Sequence, residues 1–169
     1  MRKAGWVIGI VAVSVVVASA ASAALAVEPL HAGFKETFGR AASKPCEHFL
    51  CGTGSVQGFG AATSEYDITS FEPIEGTSCA DLTAVRVITL VGDGSTLTLD
   101  DTGVVCFPGA SNSTAGSLVS FGNPGRFDGT FEVSGGTGVF EGASGSGTSL
   151  FRAAGDSGHA SIDGTISLP

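Results

Sequence analysis

Four cysteines, three histidines and a handful of acidic pairs are the residues of this 169-residue chain whose types and spacing could carry chemistry. Cys46, Cys51, Cys79 and Cys106 form an even set. Behind an export signal, such a set reads as two disulfides. Cys46 and Cys51 enclose Glu47-His48-Phe49-Leu50, so a metal site built from Cys46, His48, Cys51 and a distant cysteine is the competing arrangement. It lacks the paired Cys-x-x-Cys spacing of structural zinc sites, and exported thiols are usually oxidised, so no metal is expected. His31, His48 and His159 are scattered and share no spacing that sets two imidazoles on one face. Asp100-Asp101 lacks the alternating oxygen ligands of a calcium loop and reads instead as a solvated strand end with Arg86 as partner.

Gly155-Asp156-Ser157-Gly158 resembles the nucleophile segment of trypsin-like proteases. His159 stands where a glycine belongs, no Ala-His-Cys segment precedes it, and the chain is too short for two barrels. The segment is expected to be a polar turn between the last two strands. Asn112-Ser113-Thr114 fits a glycosylation sequon in a Pro/Gly/Ser/Asn-rich loop spanning Phe107 to Gly116. No phosphate loop, basic aromatic stripe or redox motif is present. Catalytic and ligand-binding residues are therefore not assignable by motif.

The elements that would position these residues are strands. Asp81 to Val91 and Ser95 to Val105 flank Gly92-Asp93-Gly94, a hairpin signal. With Asp93-Gly94 at the turn, Leu90 faces Leu97, Ile88 faces Leu99 and Arg86 faces Asp101. Cys106 then faces Asp81, two positions from Cys79, and a bulge near Gly103 would close the offset to a bridgeable distance. The expected bridges are Cys79–Cys106 across the open end of this hairpin and Cys46–Cys51 around a small loop. Val27 to Pro45 is ambiguous, because Phe34 and Phe38, four apart, suit a short helix as well as a strand edge. Phe49 to Ala61 reads as one strand loosened by glycines. Tyr66, Ile68 and Phe71 mark another short strand, and Leu118 to Phe121 re-enters the sheet.

The C-terminal third has the clearest period. Phe127, Gly129, Phe131 and Val133 alternate with Asp128, Thr130, Glu132 and Ser134, and Ile162, Gly164, Ile166 and Leu168 with Ser161, Asp163, Thr165 and Ser167. Period two belongs to a half-buried strand. Gly129 and Gly164 fall on the apolar face, which suits strongly coiled strands in a small closed barrel. Gly135-Gly136-Thr137-Gly138 supplies a tight reversal. The run Gly129-Thr130-Phe131, Gly135-Gly136-Thr137-Gly138, Phe140, Gly142-Ala143, Gly145 and Gly147-Thr148 resembles the allene oxide cyclase-like and dirigent-like proteins over roughly residues 126 to 168, and more loosely over Asp81 to Val105. That resemblance implies an all-β fold, a single antiparallel eight-stranded closed barrel of calycin-like type. It is a structural motif and places no catalytic residue on this chain.

The ends and the charge bound the setting. Arg2 and Lys3 precede an uncharged run from Ala4 to Val27, with Ala21-Ser22-Ala23 and Ala24-Leu25-Ala26 as cleavage candidates, so residues 1–26 read as a signal peptide and 27–169 as one barrel domain. The alternative is an uncleaved anchor, since the run is long enough to span a bilayer. The formal net charge is −8. Beyond the signal, six basic residues meet sixteen acidic ones, leaving −10, a surface that repels nucleic acid and anionic headgroups. Localisation outside the cell is expected, with no cofactor, no nucleic-acid partner and no membrane contact after cleavage. An eight-stranded barrel has room for its own side chains or for one small ligand. The eleven phenylalanines, all beyond the signal, either plug that interior or line a pocket. The functional expectation is a secreted, non-catalytic barrel that binds a small apolar ligand or meets a partner through its loops. The alternative implied by the resemblance is an isomerase or cyclase of the allene oxide cyclase type acting on a small hydrophobic substrate.

Overall fold

A computed structural model describes residues 26–39, 46–107 and 125–169. Alternation of apolar and polar residues produces eight strands: β1 (Ala26–Phe38), β2 (Leu50–Val56), β3 (Gly60–Pro73), β4 (Cys79–Leu90), β5 (Thr96–Cys106), β6 (Gly125–Gly136), β7 (Ser144–Ala154) and β8 (Ser157–Leu168). A 3-10 turn at Gly138–Phe140 interrupts the β6–β7 connection. Each strand pairs antiparallel with its sequence neighbours, and β8 returns to pair with β1 from Ala26–Leu168 to Thr37–Ser157. The sheet is therefore one closed, up-and-down barrel, as the sequence leads one to expect. Closure satisfies the hydrogen-bonding groups that an open sheet leaves bare at its edges.

One ambiguity is resolved and two local expectations are corrected. The segment beginning at Val27 is a strand as far as Phe38, because Leu30, Ala32, Phe34 and Glu36 alternate inward with exposed His31, Gly33 and Lys35. The Phe49–Ala61 stretch is two strands, not one. Gly58 takes a φ of 84° and the Phe59 N–H donates to the Val56 carbonyl at 3.0 Å, reversing the chain inside a run whose composition hides the turn. The Tyr66–Phe71 stretch belongs to the 14-residue β3, and an irregularity between Ile68 and Ser70 lets Ile68 and Phe71, three apart, pack on the same core.

The β4–β5 hairpin differs in register from expectation. The Leu90 N–H donates to the Ser95 carbonyl at 2.9 Å, so the loop is the four residues Val91-Gly92-Asp93-Gly94. Gly94 supplies the left-handed φ of 76° at its end. Ile88 thus faces Leu97, Arg86 faces Leu99 and Asp101 faces Ala84. A slip of two residues keeps every side chain on its own face, so the apolar pattern alone does not distinguish the two registers. In the observed one Cys79 and Cys106 stand directly opposite, and no bulge near Gly103 is needed. Both expected bridges are present, Cys79–Cys106 and Cys46–Cys51.

The core is the barrel interior. At the end where β1 begins and β8 ends, Ile88, Leu97, Leu99, Phe140, Ile162 and Ile166 have no exposed surface. Phe140 reaches in from the β6–β7 connection and packs on Phe59, with ring centroids 4.8 Å apart. The inward glycines have a definite use. Gly147 and Gly164 are cross-strand partners, and the Phe131 ring lies over both, so a Cβ at Gly164 would sit 2.9 Å from that ring. Phe127 covers the Gly103–Gly129 pair in the same way. In each case one aromatic ring fills the space that a cross-strand pair of glycines leaves open. The expected loop over Phe107–Gly116, the Asn112 sequon, the Leu118–Phe121 strand and the signal segment 1–26 fall wholly or almost wholly outside the described residues.

Candidate functional site

The alternation that fills the barrel with leucine and isoleucine also turns charge inward at three positions. Glu36 follows Leu30, Ala32 and Phe34 on β1. Arg86 lies between Ala84 and Ile88 on β4. Asp101 follows Leu97 and Leu99 on β5. Glu36, Arg86 and Asp101 are 0–1% exposed. Ser64 and Tyr66 from β3 and Ser149 from β7 join them at the waist of the barrel.

The contacts form one network. Arg86 Nη1 donates to Glu36 Oε1 and, at 2.6 Å, to Ser64 Oγ. Ser64 Oγ in turn donates to Glu36 Oε1 at 2.7 Å. Ser149 Oγ donates to Asp101 Oδ2 at 3.1 Å. Arg86 Nε lies 3.6 Å from the same oxygen, an ion-pair distance too long for a hydrogen bond. The guanidinium carbon sits 4.5 Å above the centre of the Tyr66 ring. Glu36 Oε2, Asp101 Oδ1 and Arg86 Nε are buried without a hydrogen-bond partner.

Burial dominates the acidities here. It pushes the Asp101 carboxyl up to about 6, although Arg86 and the Ser149 hydroxyl pull the other way. Burial, followed by the Asp101 charge, drives the Tyr66 phenol well above its usual range despite Arg86. The site therefore holds a carboxyl that changes charge near pH 6, beside a cation shared between two acids. Such an arrangement can accept hydrogen bonds from a bound molecule, and Asp101 can hold or release a proton.

Beyond this cluster, toward the end where β4 begins and β5 ends, the interior mixes Ala80, Ala84, Ala153 and Ala160 with Leu50, Leu82, Phe127 and Phe151, and Val105, Phe151 and Ala153 keep 8–9% of their surface exposed. Phe38 meets Phe49 and Phe151 edge-on, at 5.5 and 6.4 Å. Both disulfides are at this end, where β1 leads to β2 and where β4 and β5 begin and end.

The other sequence candidates lie outside the barrel wall. His48 Nδ1 is 2.6 Å from Asp67 Oδ2 and its Nε2 is 3.3 Å from Glu65 Oε2. The Asp67 hydrogen bond holds its pKa above the ordinary value. Burial raises Asp67, but the His48 and Phe49 N–H bonds outweigh it and leave that carboxyl below its usual range. Cys46 and Cys51 are tied to each other, which removes the thiolates a metal site there would need. His31 pairs with Asp163 at 2.8 Å, and His159 is exposed opposite Lys35 and Arg152. Gly155-Asp156 is a tight turn with Gly155 at a φ of 65°, and Ser157 opens β8. The structure brings none of these residues to the cluster. Asp101 is corrected from a solvated strand end to a buried group; its partnership with Arg86 stands, made diagonally across the hairpin. Glu36, Ser64, Tyr66 and Ser149 went unrecognised, although each has the parity of apolar neighbours.

The chain matches no family model, no curated protein and no solved structure. Among the described residues, no helix is long and apolar enough to cross a membrane.

Proposed function

We propose that this protein is a non-catalytic binding barrel that works outside the cell, taking a small, largely apolar molecule into the alanine-lined half of its interior. The Glu36–Arg86–Asp101 cluster carries this reading. Replacing buried ion clusters by well-packed hydrophobic residues is often neutral or stabilising, by as much as about 1–4 kcal/mol. A core selected for stability alone has no need of three charges and three unpartnered atoms at its waist. Local rules are broken in this way where a site must meet something polar. The small side chains and aromatic rim on one side of the cluster supply the apolar contacts such ligands use. Two disulfides and the acidic surface accord with an oxidising, extracellular setting, as does the resemblance to secreted barrels of the allene oxide cyclase-like and dirigent-like type.

A second reading, an isomerase or cyclase acting on a small hydrophobic substrate, is favoured by Asp101 alone. A carboxyl pushed to about 6 is placed for proton transfer near neutral pH.

The test is titration with N-phenylnaphthylamine, a neutral apolar fluorophore. Saturable binding of one molecule per chain is expected, lost in Ala153→Leu and in Ala160→Leu, each checked for its β spectrum. Absence of saturable binding, or binding indifferent to both folded variants, refutes the reading.

A further inference from the structure

We infer that the ligand of this barrel is an apolar alcohol or amine, a hydrogen-bond donor, and not a carboxylate. The inference rests on the binding reading above and concerns which chemistry the cluster can accept. An arginine inside an apolar barrel would ordinarily point to an anionic ligand. Here its charge is already shared between two carboxylates of the protein. Nη1 is committed to Glu36 and Ser64, Nε faces Asp101 Oδ2, and one face of the guanidinium is covered by Tyr66.

What remains open is mostly acceptor. Glu36 Oε2 and Asp101 Oδ1 are carboxylate oxygens with no hydrogen-bond partner, and both side chains are almost wholly buried. A buried acceptor left unmatched costs about 1–3 kcal/mol, and more when it is charged. A hydroxyl or amine donating to either oxygen removes that cost. The charge balance agrees, because two carboxylates face one guanidinium, so the ionised cluster is negative overall. A ligand carboxylate would bring a third acid into a dry site whose one guanidinium already faces two carboxylates. An ammonium would supply the missing positive charge, and a neutral alcohol would supply the donor without a desolvated charge of its own.

The experiment is competition at neutral pH between bound N-phenylnaphthylamine and decanol, decylamine or decanoate, which share one chain length. Decanol and decylamine are expected to displace the fluorophore at concentrations at least about tenfold lower than decanoate, the difference that one hydrogen bond to a charged group makes. In Asp101→Asn, which removes one negative charge without changing side-chain shape, the preference for decylamine over decanol should shrink. Decanoate competing as well as decanol, or better, overturns the inference and leaves the binding reading intact. An unchanged amine preference in Asp101→Asn also counts against it. Failure of the fluorophore itself to bind refutes the binding reading first.

Discussion

Toward the end where β1 begins and β8 ends, the interior of the barrel is filled by Ile88, Leu97, Leu99, Ile162, Ile166 and the inserted Phe140, all without exposed surface. Toward the opposite end, inward positions of β4, β7 and β8 carry Ala80, Ala84, Ala153 and Ala160 among Leu82, Phe127 and Phe151, with a charged cluster as their floor. Both disulfides are on this second side. One half is held by packing alone, and the other adds two covalent bonds and smaller side chains to its packing. The contrast teaches that a single alternating pattern can specify a wall without specifying what the wall encloses.

The largest expected effect breaks the boundary between the halves. Arg86→Met leaves Glu36 and Asp101 buried without their cation, which should cost about 3–5 kcal/mol in urea unfolding at neutral pH. Combining it with Glu36→Leu and Asp101→Leu removes the charges together and should recover most or all of that loss. A single variant as stable as the parent would mean that the cluster is not the dry, paired site described here.

The next effect separates the two staples of the alanine-lined end. Cys79 and Cys106 lie 27 residues apart in sequence, and Cys46 and Cys51 only five. In the chain-entropy model, loops of those sizes contribute about 3–4 and about 2 kcal/mol. Replacing Cys79 and Cys106 together with Ala should lower the melting temperature more than replacing Cys46 and Cys51 together. Hydrogen exchange should rise at Val105 and Leu82 before it rises at Leu97 or Ile166. Equal loss of protection at both ends would erase the comparison.

The smallest effect is a pH dependence. Asp101 titrates near 6 in the fold, above its ordinary value, so its protonated form favours the folded state. Its contribution is fully present below about pH 4 and is lost as the pH rises through about 6. Between those values Asp101→Asn should gain on the parent by on the order of 2 kcal/mol, at about 1.4 kcal/mol per pKa unit. Asp67, Asp128 and Asp163, all held below their usual range, act in the opposite direction in both proteins and cancel from the difference. A flat difference across that window would place Asp101 in contact with water.

The barrel was legible because its signals are local. Period-two runs at Phe127–Val133 and Ile162–Leu168, paired glycines and the hairpin at Gly92-Asp93-Gly94 each need only their neighbours in sequence. The hairpin register was not, since a slip of two preserves every face and only the loop length decides between the alternatives. The cluster was half legible. Arg86 and Asp101 could be matched through the hairpin, but Glu36 and Ser64 reach them through strands 50 and 22 residues away. The available sign was parity: a charged residue at the position where its strand otherwise places leucine, alanine or phenylalanine. Reading that sign requires first deciding that residues 26–38 form a strand, which Phe34 and Phe38 at helical spacing obscure.

The pairing of β1 with β8 also sets the order in which the molecule can form. His31 and Asp163, joined across that seam, are 132 residues apart in the chain. The other seven ladders join consecutive strands and can zip as each hairpin appears, but the ring waits for β8. Until β8 arrives, β1 offers a bare edge, and the inner faces of the other strands have no lid. Folding dominated by such a distant contact is slow, and the nearly complete sheet is the species most exposed to mispairing with another copy. The last strand, whose inward residues are mostly small or β-branched, thus governs when the chain becomes safe from its own neighbours.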